Sequence, residues 1–367
     1  MKTLMTCLVL LVFLLPGCQK KEPYKLGFVA GLTGKVADLG VAGRNGAQLA
    51  VEECNAAGGI KGQQIELIVR NDEQNAETAQ RVTDELIAQN IELIIGPMTS
   101  SMAMAMLPSI ESSSTILLSP TVTATALTGK DDNFLRVISD TSVYAAKNAR
   151  YQFEKQGVRT VSATYDTGNA AYTESWLNDF TRAFTALGGK ILQVRPFRSG
   201  PNAVFLPMVK ELLAGGADSL LIISNAVDSA LICQQIHKLA TGQIIAMSEW
   251  ASTERFIELA GPSAQGVIVA QFLDRNNDSE SYLKFLDQYR RRFQQEPGFA
   301  GLAGYDAAKV ALKALELRGA GQSLKQAIIA QKSFQGAQQL LTIDRFGDAD
   351  RNTFIAKVHN GQYLPVE

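Results

Sequence analysis

Apolar and polar positions in this chain alternate between two periods: short continuous apolar runs, and longer stretches repeating at helical spacing. KLGFVA (25–30) predicts a strand and 41–56 a helix closed by Gly58-Gly59, a pair suited to a left-handed C-cap. QIELIVR (64–70), IELIIG (91–96) and TILLS (115–119) predict further strands, with helical spacing from Ala76 through Ile87 between the first two. IELIIG is apolar throughout, as a central parallel strand covered on both faces must be. After about residue 140 the pattern restarts. Strands are predicted at TVSATYD (160–166), ILQVRPF, DSLLIIS (218–224), QIIAMSE (243–249) and GVIVAQF (266–272), with helices between them. Helices follow at 279–295, 301–318 and 323–331; QLLTID and NTFIAKVHNGQYLPV close the chain as an expected hairpin pair. This alternation predicts α/β architecture with parallel sheets. A dozen strands are too many for one sheet, so two doubly wound lobes are expected. No Pro/Ser linker separates them, so a hinge must consist of short crossings.

The N-terminus changes the picture of where these lobes reside. Lys2 precedes the apolar run LMTCLVLLVFLL (4–15), which is short of the roughly twenty residues a bilayer span requires. It reads as a secretory signal peptide. Leu15-Pro16-Gly17-Cys18 resembles the bacterial lipobox, which implies a leader at 1–17, diacylation of Cys18 and a tether at 18–23. Two acyl chains suffice for stable membrane anchoring. The net charge of −1 gives no basic footprint for nucleic acid. Apart from Cys7 and Cys18 of the export segment, only Cys54 and Cys233 remain, expected as buried thiols.

Candidate chemistry lies in loops that follow strands, where open α/β sheets bind ligands. Gly31-Leu32-Thr33-Gly34-Lys35 invites a phosphate-loop reading, but Val29 stands where a P-loop needs glycine, and Val36 where it needs the magnesium-binding hydroxyl. The Gly31 turn is therefore expected to face another kind of ligand. IIGPMTSSMA places Ser100 at a helix start, whose free N–H groups favour a carboxylate, and Thr121 and Thr123 follow the next strand. In the second half, Tyr172 follows TVSATYD, Asn225 and Asp228 follow DSLLIIS, and Glu249-Trp250 follow QIIAMS. A carboxylate beside an aromatic ring can hold an ammonium group.

Enzymatic constellations are missing from the sequence. His237 and His359 have no partner at metal-ligand spacing, and no serine stands in G-x-S-x-G. Asp348-Ala349-Asp350-Arg351-Asn352 imitates the start of a calcium loop but lacks its glycine and its closing glutamate. Neither a metal nor a cofactor is expected.

The order LGFVAGLTG … GAQLAVEECNAAGGIKG … IIGPMTSS … LLSPTVT … GYDA resembles the periplasmic Leu/Ile/Val-binding proteins, extracytoplasmic solute receptors of branched-chain amino acid-type ABC transporters. The likeness covers nearly all of 24–367, and Glu52–Gly62 is its most specific piece. It implies two Rossmann-like lobes of the type I periplasmic-binding fold, joined by a three-crossing hinge. Lobe one would comprise 24–139 plus 268–340, and lobe two 140–267 plus 341–367. It implies that Ser100, Thr121, Val122 and Thr123 hold a ligand carboxylate, that Glu249 takes an ammonium group, and that Tyr172, Asn225 and Phe299 add contacts. Leu39 stands where Leu/Ile/Val binders carry a bulky aromatic, and Thr121-Val122 replace an Ala-Ala pair, so the pocket walls differ from a leucine receptor's.

The expectation is a monomeric, lipid-anchored receptor at the periplasm or cell surface. It would close on a small amino acid or related carboxylate or amide and deliver it to an ABC permease. A sensory receptor of the same fold and an exported hydrolase are the alternatives.

Overall fold

A computed structural model of the chain describes residues 21–240 and 242–367. Cys18, the leader and the first part of the tether lie outside the described residues. The first lobe is built from β1 (Tyr24–Ala30), α1 (Ala37–Ala56), β2 (Ile65–Asn71), α2 (Ala76–Ala88), β3 (Leu93–Ile95), α3 (Ser100–Glu111), β4 (Ile116–Ser119) and β5 (Phe134–Arg136). Its strands form a parallel sheet ordered β2-β1-β3-β4-β5. The three-residue β5 is too short to show in the apolar pattern.

The second lobe holds α4 (Thr141–Lys155), β6 (Thr160–Asp166), α5 (Ala170–Ala186), β7 (Lys190–Phe197), α6 (Leu206–Ala214), β8 (Ser219–Ile223), α7 (Ala226–Leu239), β9 (Ile244–Met247), α8 (Glu254–Ala260) and β10 (Ile268–Gln271). The chain then runs through α9 (Glu280–Phe293), α10 (Gly298–Leu317), α11 (Leu324–Gln331), β11 (Ser333–Gln335), β12 (Leu340–Ile343), β13 (Ala349–Asp350), β14 (Phe354–His359) and β15 (Gln362–Pro365). The second sheet is ordered β15-β14-β10-β9-β8-β6-β7.

Two sequence boundaries are corrected here. β10 pairs parallel with β9 and antiparallel with β14, so the crossing expected at 267/268 follows that strand instead. A fully apolar run can complete either sheet, and its pattern does not say which. Likewise β12 joins β11 and β13 in a small separate sheet rather than the terminal hairpin, which is β14–β15 alone. The last crossing thus falls after Asp350 rather than at 340/341.

α10 returns to pack on α1 at backbone distance. A Cβ on Gly46 would lie 1.9 Å from the Gly301 carbonyl oxygen, and one on Gly304 would lie 2.1 Å from that of Gly43. The helices fit because all four positions are glycine. The crossings are fastened by Arg351, which is buried. Its backbone N–H donates to Ser139 Oγ at 2.9 Å, its guanidinium lies 4.5 Å from the centre of the Phe272 ring, and it forms a buried ion pair with Asp306 on α10. Phe272 in turn meets Phe299 edge-to-face with ring centres 6.3 Å apart. The hinge and the cleft wall are thereby in direct contact. Cys54 is half-buried and Cys233 fully buried; both are free thiols, and burial pushes the Cys233 thiol up to about 12. No described helix is long and apolar enough to cross a membrane.

Candidate ligand-binding cleft

The lobes meet through polar contacts that span the cleft. Lys35 Nζ lies 2.5 Å from Asp228 Oδ1, Thr253 donates to Asp38 at 2.7 Å, and the Thr125 and Ser175 hydroxyls are 2.8 Å apart. Between them lies a cavity of about 20 Å³ lined by Leu39, Met98, Thr99, Ser100, Thr121, Ile138, Asn169, Tyr172, Glu249, Trp250 and Phe299. That is room for about one water, so the two walls stand closer together here than they would around a bound metabolite. A wider open groove of about 530 Å³ shares Phe299 with it. The groove's acids are already engaged, Asp38 with Thr253, Glu254 with Arg275 and Glu258 with Arg255, so it offers few free receptor groups.

On the first-lobe side, Pro97 ends the strand segment and α3 begins at Ser100, which is buried. Ser100 Oγ accepts a long bond from Ala124 N at 3.4 Å. The Thr121 hydroxyl donates to the Met98 carbonyl at 2.7 Å, so it holds its own loop while lining the cavity. The buried Thr123 hydroxyl has no hydrogen-bond partner among the described residues, and Thr123, though two residues past Thr121, does not itself line the cavity.

On the second-lobe side, Glu249 is buried in a turn directly after β9. Trp176 Nε1 on α5 donates to its Oε2 at 2.8 Å. The Tyr172 hydroxyl lies near the carboxylate and eases its ionisation, yet neither that hydroxyl nor Glu249 Oε1 completes a hydrogen bond among the described residues. Burial pushes the Glu249 carboxyl up to about 7, against the lowering effect of its hydrogen-bond donors. Trp250 packs edge-to-face on Tyr172 at 5.6 Å. The result is a carboxylate held from one side and open on the other, in a place where an unpaired charge is costly.

The model of a family described as periplasmic binding protein matches residues 23–362. The chain belongs to this family. Among its relatives is a Leu/Ile/Val-binding protein homolog 3 of Brucella melitensis, 24% identical over 351 residues, with 93% of each chain covered. The isoleucine complex of the branched-chain amino acid transporter substrate-binding protein LivJ from Streptococcus pneumoniae superposes with a TM-score of 0.86 at 24% identity, covering 94% of this chain and 99% of that one. A solute-binding protein from Rhodopseudomonas palustris in complex with 3,4-dihydroxybenzoic acid superposes at 0.84 with 21% identity, covering 94% and 96%. These superpositions show the shared fold of two parallel-sheet lobes.

In this periplasmic binding protein, the cavity gathers Leu39, Ser100, Thr121, Tyr172, Glu249 and Phe299 from sequence-distant elements. Three expectations are corrected. Val122 is fully buried in the first-lobe core beside Val29 and Leu86, and its N–H donates to Ser119 Oγ, so neither end is open to a ligand. Asn225 caps α7, accepting from Asp228 N at 3.0 Å while its amide donates to Asp228 Oδ2 at 2.8 Å, and it is not on the cavity wall. The Gly31 turn does not line the cavity either; Leu32 N is held by Asn71, and the segment reaches across the cleft through Lys35. Met98, Thr99, Ile138 and the Trp176 contact escaped the sequence reading. Trp176 heads an i, i+4, i+8 series with Phe180 and Phe184, a pattern that reads as helix core.

Proposed function

We propose that this binding protein captures a small amino acid in the interlobe cavity and presents it to an ABC permease. The ligand's carboxylate goes to the start of α3 at Ser100, with Thr121 and Thr123 beside it. Its ammonium group goes to Glu249 Oε1 and the Tyr172 hydroxyl, and its side chain lies among Leu39 and Phe299. The observation that carries this reading is Glu249: a buried carboxylate facing the narrow space between the lobes, one oxygen bound by Trp176 and the other without a partner among the described residues. An ammonium group supplies the missing charge and hydrogen bond together. The relatives named for leucine, isoleucine and valine binding, and the isoleucine complex, support the same ligand class. The receptor works as a monomer without cofactor or catalysis, held at the outer face of a membrane by lipidated Cys18.

The test is a melting-temperature screen of the mature chain against aliphatic amino acids, their amides, and benzoates, since a ligand binding only the folded state raises the midpoint. The expected result is a rise with one or more aliphatic amino acids and none with their amine-free analogues. A rise with benzoates alone contradicts the assignment.

A further inference from the structure

One turn of α5 presents two side chains to Glu249. Tyr172 and Trp176 are four residues apart and share a face of that helix. Trp176 Nε1 donates to Glu249 Oε2 at 2.8 Å, and an indole N–H has no other hydrogen-bonding capacity to divide. The ring that carries this donor is held from behind. It stacks on Phe180 with centres 5.6 Å apart and planes inclined by 14°, and Phe180 stacks on Phe184 at 5.3 Å and 17°. Phe153 meets Phe184 edge-to-face at 6.0 Å and closes the far end of the column. Trp176, Phe180 and Phe184 are all fully buried. Close packing on every side keeps the indole in one orientation. The column therefore aims one N–H at one carboxylate oxygen, while Glu249 Oε1 stays without a partner among the described residues.

We propose that Trp176 is a positioning residue of the ligand site: its indole N–H pins Oε2 of Glu249 and leaves Oε1 as the oxygen that receives the ligand. The role of Oε1 rests on the proposed function; the role of the indole on Oε2 does not. A donor on Oε2 favours the ionised carboxylate that an ammonium group needs. It works against the burial that pushes the Glu249 carboxyl up to about 7. The other titratable groups that face Glu249 are the Tyr172 phenol on α5 and the Tyr144 phenol on α4, both pushed well above the ordinary tyrosine range by burial. Tyr144 also senses Arg136 and Asp140 beside the first crossing, and Arg351, which is paired with Asp306. Neither phenol ionises between about pH 5 and pH 9, so a charge change beside the indole in that window belongs to Glu249.

The experiment is proton–nitrogen correlation spectroscopy of the indole groups in the ligand-free mature chain, followed from about pH 5 to about pH 9. The sequence holds two tryptophans, Trp176 and Trp250, so two indole signals are expected and Trp250→Phe assigns them. The Trp176 signal should move downfield as pH rises, with a midpoint near 7, because its acceptor gains charge. In Glu249→Gln it should stay still. Trp176→Phe keeps a ring in the column and deletes the donor, so the folded carboxyl becomes harder to ionise while the unfolded one is unchanged. In urea melts its loss of stability with rising pH should therefore extend about one to two pH units above that of wild type. A ring that only packs would lower stability equally at every pH. A Trp176 signal that does not titrate, one that titrates equally in Glu249→Gln, or a pH-independent loss in Trp176→Phe overturns the role. The Glu249→Gln comparison decides the matter if Trp176→Phe folds poorly. Failure of every amino acid in the melting screen would count against the ligand assignment and leave these readouts intact.

Discussion

The two walls of the cavity solve different problems. The first-lobe wall is made of groups that the protein also uses for itself: the Thr121 hydroxyl closes onto Met98, Thr99 is tied to Gln74, and Ser100 takes a long bond from Ala124. The second-lobe wall keeps a fully buried carboxylate oxygen and a phenol without partners among the described residues. A wall of shared neutral donors tolerates an empty cavity. A buried half-satisfied carboxylate does not, and its raised pKa records the cost of keeping it charged there. Under the proposed function, the difference places selectivity for an amine in the second lobe and a general anion seat in the first.

The largest test of that asymmetry is Glu249→Gln. It should weaken isoleucine-class ligands by about 2–5 kcal/mol, roughly thirtyfold to several-thousandfold, when read by titration calorimetry. The next is the pH dependence of the empty protein. Glu249 has a folded pKa of about 7 against an ordinary 4.5, so the fold prefers its protonated form. Its contribution is fully present below pH 4.5 and is lost as pH rises through about 7, a fall of about 3 kcal/mol that urea melts should detect and Glu249→Gln should abolish. Behind the opposite wall, Thr123→Val removes a hydroxyl that has no hydrogen-bond partner among the described residues, and affinity should drop by roughly tenfold with little change in stability. The smallest effect belongs to Asn225→Ala. It should cost about 1 kcal/mol of stability through the lost α7 cap and leave affinity unchanged, whereas a binding role for Asn225 would reverse that pattern.

The strand-to-loop logic carried much of this into the sequence. Glu249 was legible because a carboxylate and an aromatic followed an apolar strand, and Ser100 because a proline-broken strand led into a helix. Val122 misled because a motif fixes spacing, not the direction of a side chain; the loop turns Val122 into the core and leaves its neighbour Thr123 with a hydroxyl unpaired among the described residues. Asn225 stands three residues before Asp228, and the pair forms a cap whose signature was present but outweighed by its place after a strand. Trp176 could not be found from pattern, since its indole N–H acts on a residue 73 positions away while its ring behaves as ordinary helix core. The sheet allegiance of β10 was equally hidden, because burial on both faces erases the alternation that would show which face meets which lobe.

The most direct measurement is proton release on binding. Isoleucine titrated into the mature chain near pH 6, in two buffers of different ionisation enthalpy, reports how many protons leave with complex formation. An ammonium group seated on Glu249 requires that carboxyl to ionise, so close to one proton should be released near pH 6 and far fewer well above pH 7. Binding that releases no proton at either pH, and that survives Glu249→Gln unchanged, would contradict the account.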